Sequence, residues 1–227
     1  MARTFSARTF EFLRELKDNN NRSWFEANKP RYEEHVKGAA RAFIEAFAPH
    51  LRSVSTHFVA DPSPVGGSLF RIYRDTRFSK DKTPYKTAVG IRFSHEMAKD
   101  VHAPGYYLHI SNDEIWAGCG IWRPDSDSLR AIREAIVADP GLWKRTRGSK
   151  TFTRTWELGG DSLKRPPKGF DPEHPLVDDL RRKDFIGHAK LPKKTVIGSD
   201  LPERFAALCA DAGPLNRFLC KALGLEY

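Results

Sequence analysis

The sequence predicts an α+β fold, with a mainly antiparallel sheet packed by N-terminal, central and C-terminal helices. Apolar residues recur at helical spacing near residues 6–51, 126–138 and 200–223, and alternate with period two between residues 68 and 122. The strand-like segments follow one another through short links, which favours antiparallel pairing over a doubly wound parallel sheet. No repeat, low-complexity tract or linker-like stretch interrupts the 227 residues, so residues 1–227 read as one domain.

The first helix is expected from about Ser6 to Lys17, with Ser6 as cap and Phe10, Leu13 and Leu16 on one face. Asn19, Asn20 and Asn21 end it, because Asn favours caps and turns over helix interiors. Ser23 is expected to cap a short turn carrying Trp24 and Phe25. Pro30 suits the first turn of a long helix, where its missing N–H costs nothing. That helix places Val36, Ala40, Phe43, Ile44, Phe47 and Leu51 on one buried stripe.

Residues 61–68, DPSPVGGS, form a loop by their Pro and Gly content. Strands are expected at 68–74, 87–93, 105–111 and 114–122, the last two joined by a turn at Asn112-Asp113. A helix follows, capped by Asp125 or Ser126, striped by Leu129, Ile132, Ile136 and Val137, and ended by Pro140. Residues 144–168 are basic, with eight Lys and Arg against two acids. A short helix from His174 to Lys183, a strand from Phe185 to Leu191 and two helices between Asp200 and Leu223, broken at Gly213-Pro214, complete the chain.

Composition bounds the function. The apolar fraction is 40%, the charged fraction 30%, and Phe alone supplies 15 residues, enough for a core without staples. No apolar run approaches the roughly 20 residues needed to span a bilayer, so no membrane partner is expected. The N-terminus lacks a signal-peptide pattern. Three sparse cysteines, Cys119, Cys209 and Cys220, are neither a disulfide framework nor a zinc ribbon. A cytoplasmic location is the expectation. The net charge of +9 implies salt-sensitive affinity for polyanions.

Phosphate-cradling loops of the standard kinds are absent, as is a nucleophile elbow. The eight histidines show no paired metal spacing, so no metal site is expected and no cofactor is indicated. His95, Glu96, His102 and His109 lie close enough in sequence to converge, although a loop-and-surface reading serves them better. His109, mid-strand, is either a satisfied core histidine or a pocket acid/base. Gly118 and Gly120 around Cys119 fit a bulge or a close backbone approach better than a phosphate loop. Cys119 reads as a small buried residue.

One constellation stands out. Residues 71–92, RIYRDTRFSKDKTPYKTAVGIR, carry seven cations against two acids. The centre, RDTRFSKDKTPYK, is a long loop between strands, and ordered loops of that length are disproportionately functional. Arg71, Arg74, Arg77, Lys80, Lys82 and Lys86 are expected to bind an anion, joined by Lys183 from the C-terminal half. Tyr85 and Phe78 offer aromatic faces for a base or sugar. Asp75 and Asp81 are candidate orienters or proton-transfer groups, with His109 as a third candidate acid/base. The alternative is a self-paired charge network that only fixes the fold.

The segment RFSKDKTPYK at 77–86 resembles the signature of a bacterial family known as domain of unknown function 2461. FEFLRELKDNNNRSWFEANKPRYEEHV at 10–36 is similar to the family's opening, YYLHIS and GCGIWRP within 106–124 to its central hairpin, and RPPKGFDPEHPLVDDLRRKDF at 165–185 to its C-terminal motif. The resemblance spans most of the chain and implies one full-length cytoplasmic domain. It implies no reaction, and directs attention to the loop at 74–86 and to Lys183, Asp184 and Phe185.

Two functions follow from the charge pattern. The first is a pocket for a phosphorylated or carboxylated small molecule, as binding module or enzyme. The second is a single-stranded nucleic-acid-binding module, with Tyr73, Phe78, Tyr85, Phe152 and Trp156 as stacking faces among basic segments. A structural or interaction protein without ligand is the third reading. The oligomeric state is open.

Overall fold

The computed structural model describes residues 4–97 and 103–227. The fold is α+β, as the patterning predicts. Helix α1 (Ala7–Asp18) starts after Ser6, whose N–H donates to Thr9 Oγ1 at 3.2 Å. Thr9, itself buried, donates onward to the His35 carbonyl at 2.7 Å.

The next helix departs from expectation. It starts at Arg22, not after Pro30, because Asn21 rather than Ser23 is the cap, its side chain accepting from Trp24 N–H at 3.0 Å. Helix α2 (Arg22–Tyr32) carries Pro30 in its last turn and widens into a π-helical turn (Glu33–Gly38) before α3 (Ala39–Val54). The proline removes one backbone donor, and the path continues because packing holds both sides. Val36, Ala40, Phe43, Ile44, Phe47 and Leu51 are all buried, as their spacing predicts.

The sheet has the order β1-β2-β3-β5-β4 and every pairing is antiparallel. The strands are β1 (Ala88–Ser94), β2 (Gly105–Ser111), β3 (Ile115–Ile121), β4 (Glu157–Gly159) and β5 (Phe185–Lys190). The segment 68–74 is not a strand. It touches the edge of β1 through Phe70 N–H to Gly90 O (2.9 Å) and Arg92 N–H to Ser68 O (2.8 Å). It then peels away and pairs with its own loop, Lys86 N–H to Ile72 O (2.7 Å) and Arg74 N–H to Pro84 O (2.9 Å). Alternation over seven residues looks like a strand in sequence, yet the two short contacts are split between two partners.

Helix α4 (Ser126–Ala138) is capped by Asp125 and ends before α5 (Pro140–Arg147), where proline takes the first helical position. Ile132 and Ile136 are buried, whereas Val137 is exposed. Helix α6 (Lys150–Thr153) and strand β4 interrupt the basic stretch that carried no element in the sequence reading. The helix expected over 174–183 shrinks to α7 (Val177–Leu180). A short α8 (Lys193–Val196) precedes α9 (Leu201–Asp211) and α10 (Gly213–Ala222).

Strand alternation sorts the sheet into two faces. Val89, Ile91, Phe93, Tyr106, Leu108, Ile110, Ala117, Cys119, Ile121, Phe185 and Ala189 share one face and are all buried. The helices cover it: Phe43 and Phe47 of α3 and Phe205 of α9 pack on Phe93, and Trp143 of α5 packs on Phe185. The opposite face carries Gly90, Arg92, Gly105, Tyr107, His109, Trp116, Gly118, Gly120, Ile186 and His188. No helix among the described residues is long and apolar enough to cross a membrane.

Candidate functional site

The open face of the sheet holds a groove of about 370 Å³. Its floor is glycine: Gly105 pairs with Gly120 across β2 and β3, and Gly118 lies one register row away. That row runs Arg92, Tyr107, Gly118, His188 and Glu157 across all five strands. Tyr107, Trp116, Trp122, Ile186 and His188 form the walls, with Phe70 and Arg92 at the β1 edge. Among the described residues no aspartate or glutamate lines it.

The walls brace one another. Trp116 stacks on His109 (centroids 5.0 Å apart, 11° between planes) and meets Tyr107 and His188 at 5.1 Å each. Its indole N–H donates to Glu114 Oε1 at 3.1 Å. Phe70 lies 5.9 Å from Tyr107, and the Lys86 ammonium sits 5.6 Å over the Phe70 ring. Burial pushes the Tyr107 hydroxyl pKa up. Burial lowers the His109 pKa against a smaller opposing pull from Glu114, so His109 is neutral near pH 7. His109 buttresses Trp116 and does not line the groove.

The 74–86 loop is a different kind of object. Arg74 bonds to Asp81 and Thr83 on its own loop. Arg77 makes a two-pronged pair with Asp75, Nε to Oδ1 at 3.0 Å and Nη2 to Oδ2 at 2.7 Å. Lys82 donates to the Thr76 carbonyl at 2.9 Å, and Lys86 to the Arg71 carbonyl at 3.0 Å. Asp75 and Asp81 each also accept a backbone N–H two residues ahead, from Arg77 and Thr83. Pairing with Arg77 holds the Asp75 carboxyl at about 2. The Thr83 amide, then Arg74, does the same for Asp81, also about 2. Carboxylates that ionised are weak proton acceptors near neutrality.

Tyr85 is not a free stacking face. It is buried, its ring lies 4.1 Å from that of Phe25, and Asn20 clamps its backbone through Asn20 Nδ2 to Tyr85 O (2.9 Å) and Tyr85 N–H to Asn20 Oδ1 (3.1 Å). The other proposed stackers Phe152 and Trp156 are also buried, whereas Tyr73 is half exposed and Phe78 is 94% exposed at the loop tip. Arg71, Lys80 and Lys86 have no carboxylate within 4 Å among the described residues. Burial, reinforced by the Arg71 charge, lowers the Lys86 pKa. Lys183 is exposed, and no hydrogen bond or ion pair among the described residues joins it to the loop.

The histidines do not gather. His95 is buried against the Glu226 carbonyl (2.8 Å), Glu96 pairs with His57, and His102 lies outside the described residues. Among the described residues no three His, Cys, Asp or Glu side chains are placed to hold a metal ion. Cys119, Cys209 and Cys220 are buried, and burial raises each thiol pKa. Gly120 is a close approach, with φ +94 and a hypothetical Cβ only 2.0 Å from Phe185 O.

The groove residues escaped the sequence reading, which followed charge. A signal was present: Gly90, Gly105, Gly118 and Gly120 fall on the same alternation phase as Tyr107 and Trp116. A solvated sheet face carries Lys, Glu or Thr instead.

No curated protein and no solved structure matches the chain. The four segments that resemble domain of unknown function 2461 all lie inside the stretch, residues 8–218, that matches that family's model. With nearly its whole length matched, the chain belongs to the family described as conserved hypothetical protein (DUF2461).

Proposed function

We propose that this chain is a small-molecule-binding domain whose ligand has a flat apolar body and a carboxylate or phosphate, held in the groove on the open face of the sheet. The carrying observation is the groove itself: a glycine floor, walls of Tyr107, Trp116, Trp122, Ile186 and His188, and no acidic lining residue among the described residues. A concave apolar site with a few polar groups is the usual form of a ligand pocket. Removing side chains from adjacent register positions makes room for a ring to lie against the backbone, and Tyr107, Trp116 and Trp122 supply faces for it. Arg92 and His188 in the lining, with Lys86 beside Phe70, favour an anion over a cation.

A second reading keeps the loop as the site. Phe78, 94% exposed between Arg77 and Lys80, suits stacking on a single-stranded nucleic acid whose phosphates meet Arg71, Lys80, Lys82 and Lys86.

A thermal-shift screen of aromatic carboxylates, nucleotides and short oligonucleotides tests both. A ligand at 100 times its Kd adds about 2.7 kcal/mol, or roughly 5–10 °C for a chain of this size. Under the groove reading, Trp116→Ala abolishes the shift and Arg77→Ala preserves it. The reverse pattern assigns the ligand to the loop.

A further inference from the structure

We infer that Arg123 is the residue that reads the negative charge of the groove's ligand, an oxyanion such as a carboxylate, phosphate or sulfonate on the flat apolar body. The inference rests on the groove reading. Arg123 follows Trp122, which lines the groove at the end of β3.

Three observations converge on it. Arg123 is the one non-glycine residue with positive φ among the described residues, at +47. That conformation crowds the Cβ of any L-residue other than Gly, and Asn or Asp tolerates it better than Arg. Pro124 adds to the strain, because the residue before proline prefers extended backbone. A purely structural turn here would favour glycine.

The strain is held by a buried anchor. Asp184, 3% exposed, accepts Arg123 N–H at 2.7 Å through Oδ1 and Asp161 N–H at 3.0 Å through Oδ2. The carboxylate fastens the end of β3 to the start of β5 and fixes the turn. Strained backbone of this kind persists where surrounding structure over-determines it, and such places cluster at ligand sites.

The side chain is left available. The Arg123 guanidinium lies 4.8 Å over the Trp122 ring, which orients its plane. Among the described residues no carboxylate comes within 4 Å of it, and no side-chain hydrogen bond involves it. Several other arginines are spent: Arg31 on Glu15, Arg74 on Asp81, Arg133 on two carbonyls, Arg154 on Asp211. Arg123 does not itself line the groove, but its planar fork lies over Trp122, which does, and open donors there match an oxyanion on an apolar body.

Two dyes that share an aromatic body test this. 1-Anilinonaphthalene-8-sulfonate carries the oxyanion, and N-phenyl-1-naphthylamine lacks it. Fluorescence titration of the full chain should show Arg123→Gly weakening the sulfonate about tenfold, the effect of one lost charge-assisted contact. The uncharged dye should bind within about twofold of wild type, and the melting temperature should hold or rise as the φ strain is relieved. Arg123→Asn, which tolerates the same φ without the charge, should behave alike. Unchanged sulfonate binding overturns the role of Arg123 while leaving the groove in place. Equal weakening of both dyes also overturns it, because Arg123 then serves only to hold Trp122. A wild type that binds neither dye removes the groove, and the inference with it.

Discussion

Two glycines on one face of β3 should respond very differently to the same added methyl group. At Gly120 a Cβ would sit 2.0 Å from Phe185 O and 3.0 Å from Phe185 C, with φ at +94. The obstacle is backbone, so β5 must retreat by more than 1 Å where Gly120 pairs with Ile186. The conformational strain costs about 1–3 kcal/mol. One or two weakened ladder bonds add about 0.5–1.5 kcal/mol each. Gly120→Ala should therefore lose about 3 kcal/mol, lowering the melting temperature by roughly 6–12 °C. At Gly118 the nearest atoms are side chains, Trp116 Cζ3 at 3.2 Å and Tyr107 Cβ at 3.4 Å. A shift of a few tenths of an ångström relieves both, and alanine reduces the entropy cost of a strand glycine by about 0.5–1 kcal/mol. Gly118→Ala should stay within about 1 kcal/mol of wild type. Urea denaturation followed by far-ultraviolet circular dichroism measures both. Equal losses, or a Gly120→Ala loss below about 1 kcal/mol, would refute the close approach that shapes the groove floor.

Phe43, wholly buried against Phe5, Phe47, Phe93 and Phe205, should cost about 3–5 kcal/mol as Phe43→Ala in the same assay. Arg77→Ala and Lys82→Ala, at exposed positions, should each change stability by less than about 1 kcal/mol; larger losses would make the loop a structural keystone. Asp75 and Asp81 have folded pKa values of about 2 against an ordinary 3.8. A depressed carboxyl pKa gives stability that is complete above the unfolded value and is lost as pH falls through the folded one. Wild type should accordingly lose stability between about pH 4 and pH 2, and the double variant Asp75→Asn, Asp81→Asn should lose less over that window. An identical pH profile for the two proteins would show these pairs to be absent in solution.

Local chemistry was legible wherever one short segment decides the outcome. Ser6, Asp125 and Gly213-Pro214 mark helix boundaries where the structure has them. The 3.6-residue stripe through Phe43 and Phe47 is buried, and Val89, Ile91 and Phe93 share the covered sheet face. The failures share a cause: a distant partner overrides the local signal. Pro30 reads as a helix start, but Asn21 caps nine residues earlier and the core holds the helix through the proline. Residues 68–74 alternate like a strand, yet their hydrogen bonds divide between β1 and the loop at 84–86. Strand β4 exists because β5 offers it an edge, Glu157 to Gly159 against Ile186 to His188. Three residues carry too little pattern to announce that.

Charge density alone does not decide the role of the loop, for a related reason. A run of cations looks the same in composition whether it serves a ligand or braces itself, and position relative to the acids separates the cases. Asp75 stands two residues before Arg77, so it can accept the Arg77 backbone N–H and its guanidinium together. Asp81 repeats the arrangement on Thr83 and reaches across the loop to Arg74. With Tyr85 stacked on Phe25 and clamped by Asn20, the segment RDTRFSKDKTPYK becomes a loop whose base is nailed to the core and whose two acids are consumed internally. Rigidity of that kind leaves Phe78 and Lys80 displayed at the tip. Arg123 shows the opposite logic: Asp184 takes the backbone N–H, and the guanidinium beside Trp122 has no ion pair among the described residues. An arginine whose backbone is anchored and whose side chain is spared is better placed to meet an external anion than one whose side chain is already matched.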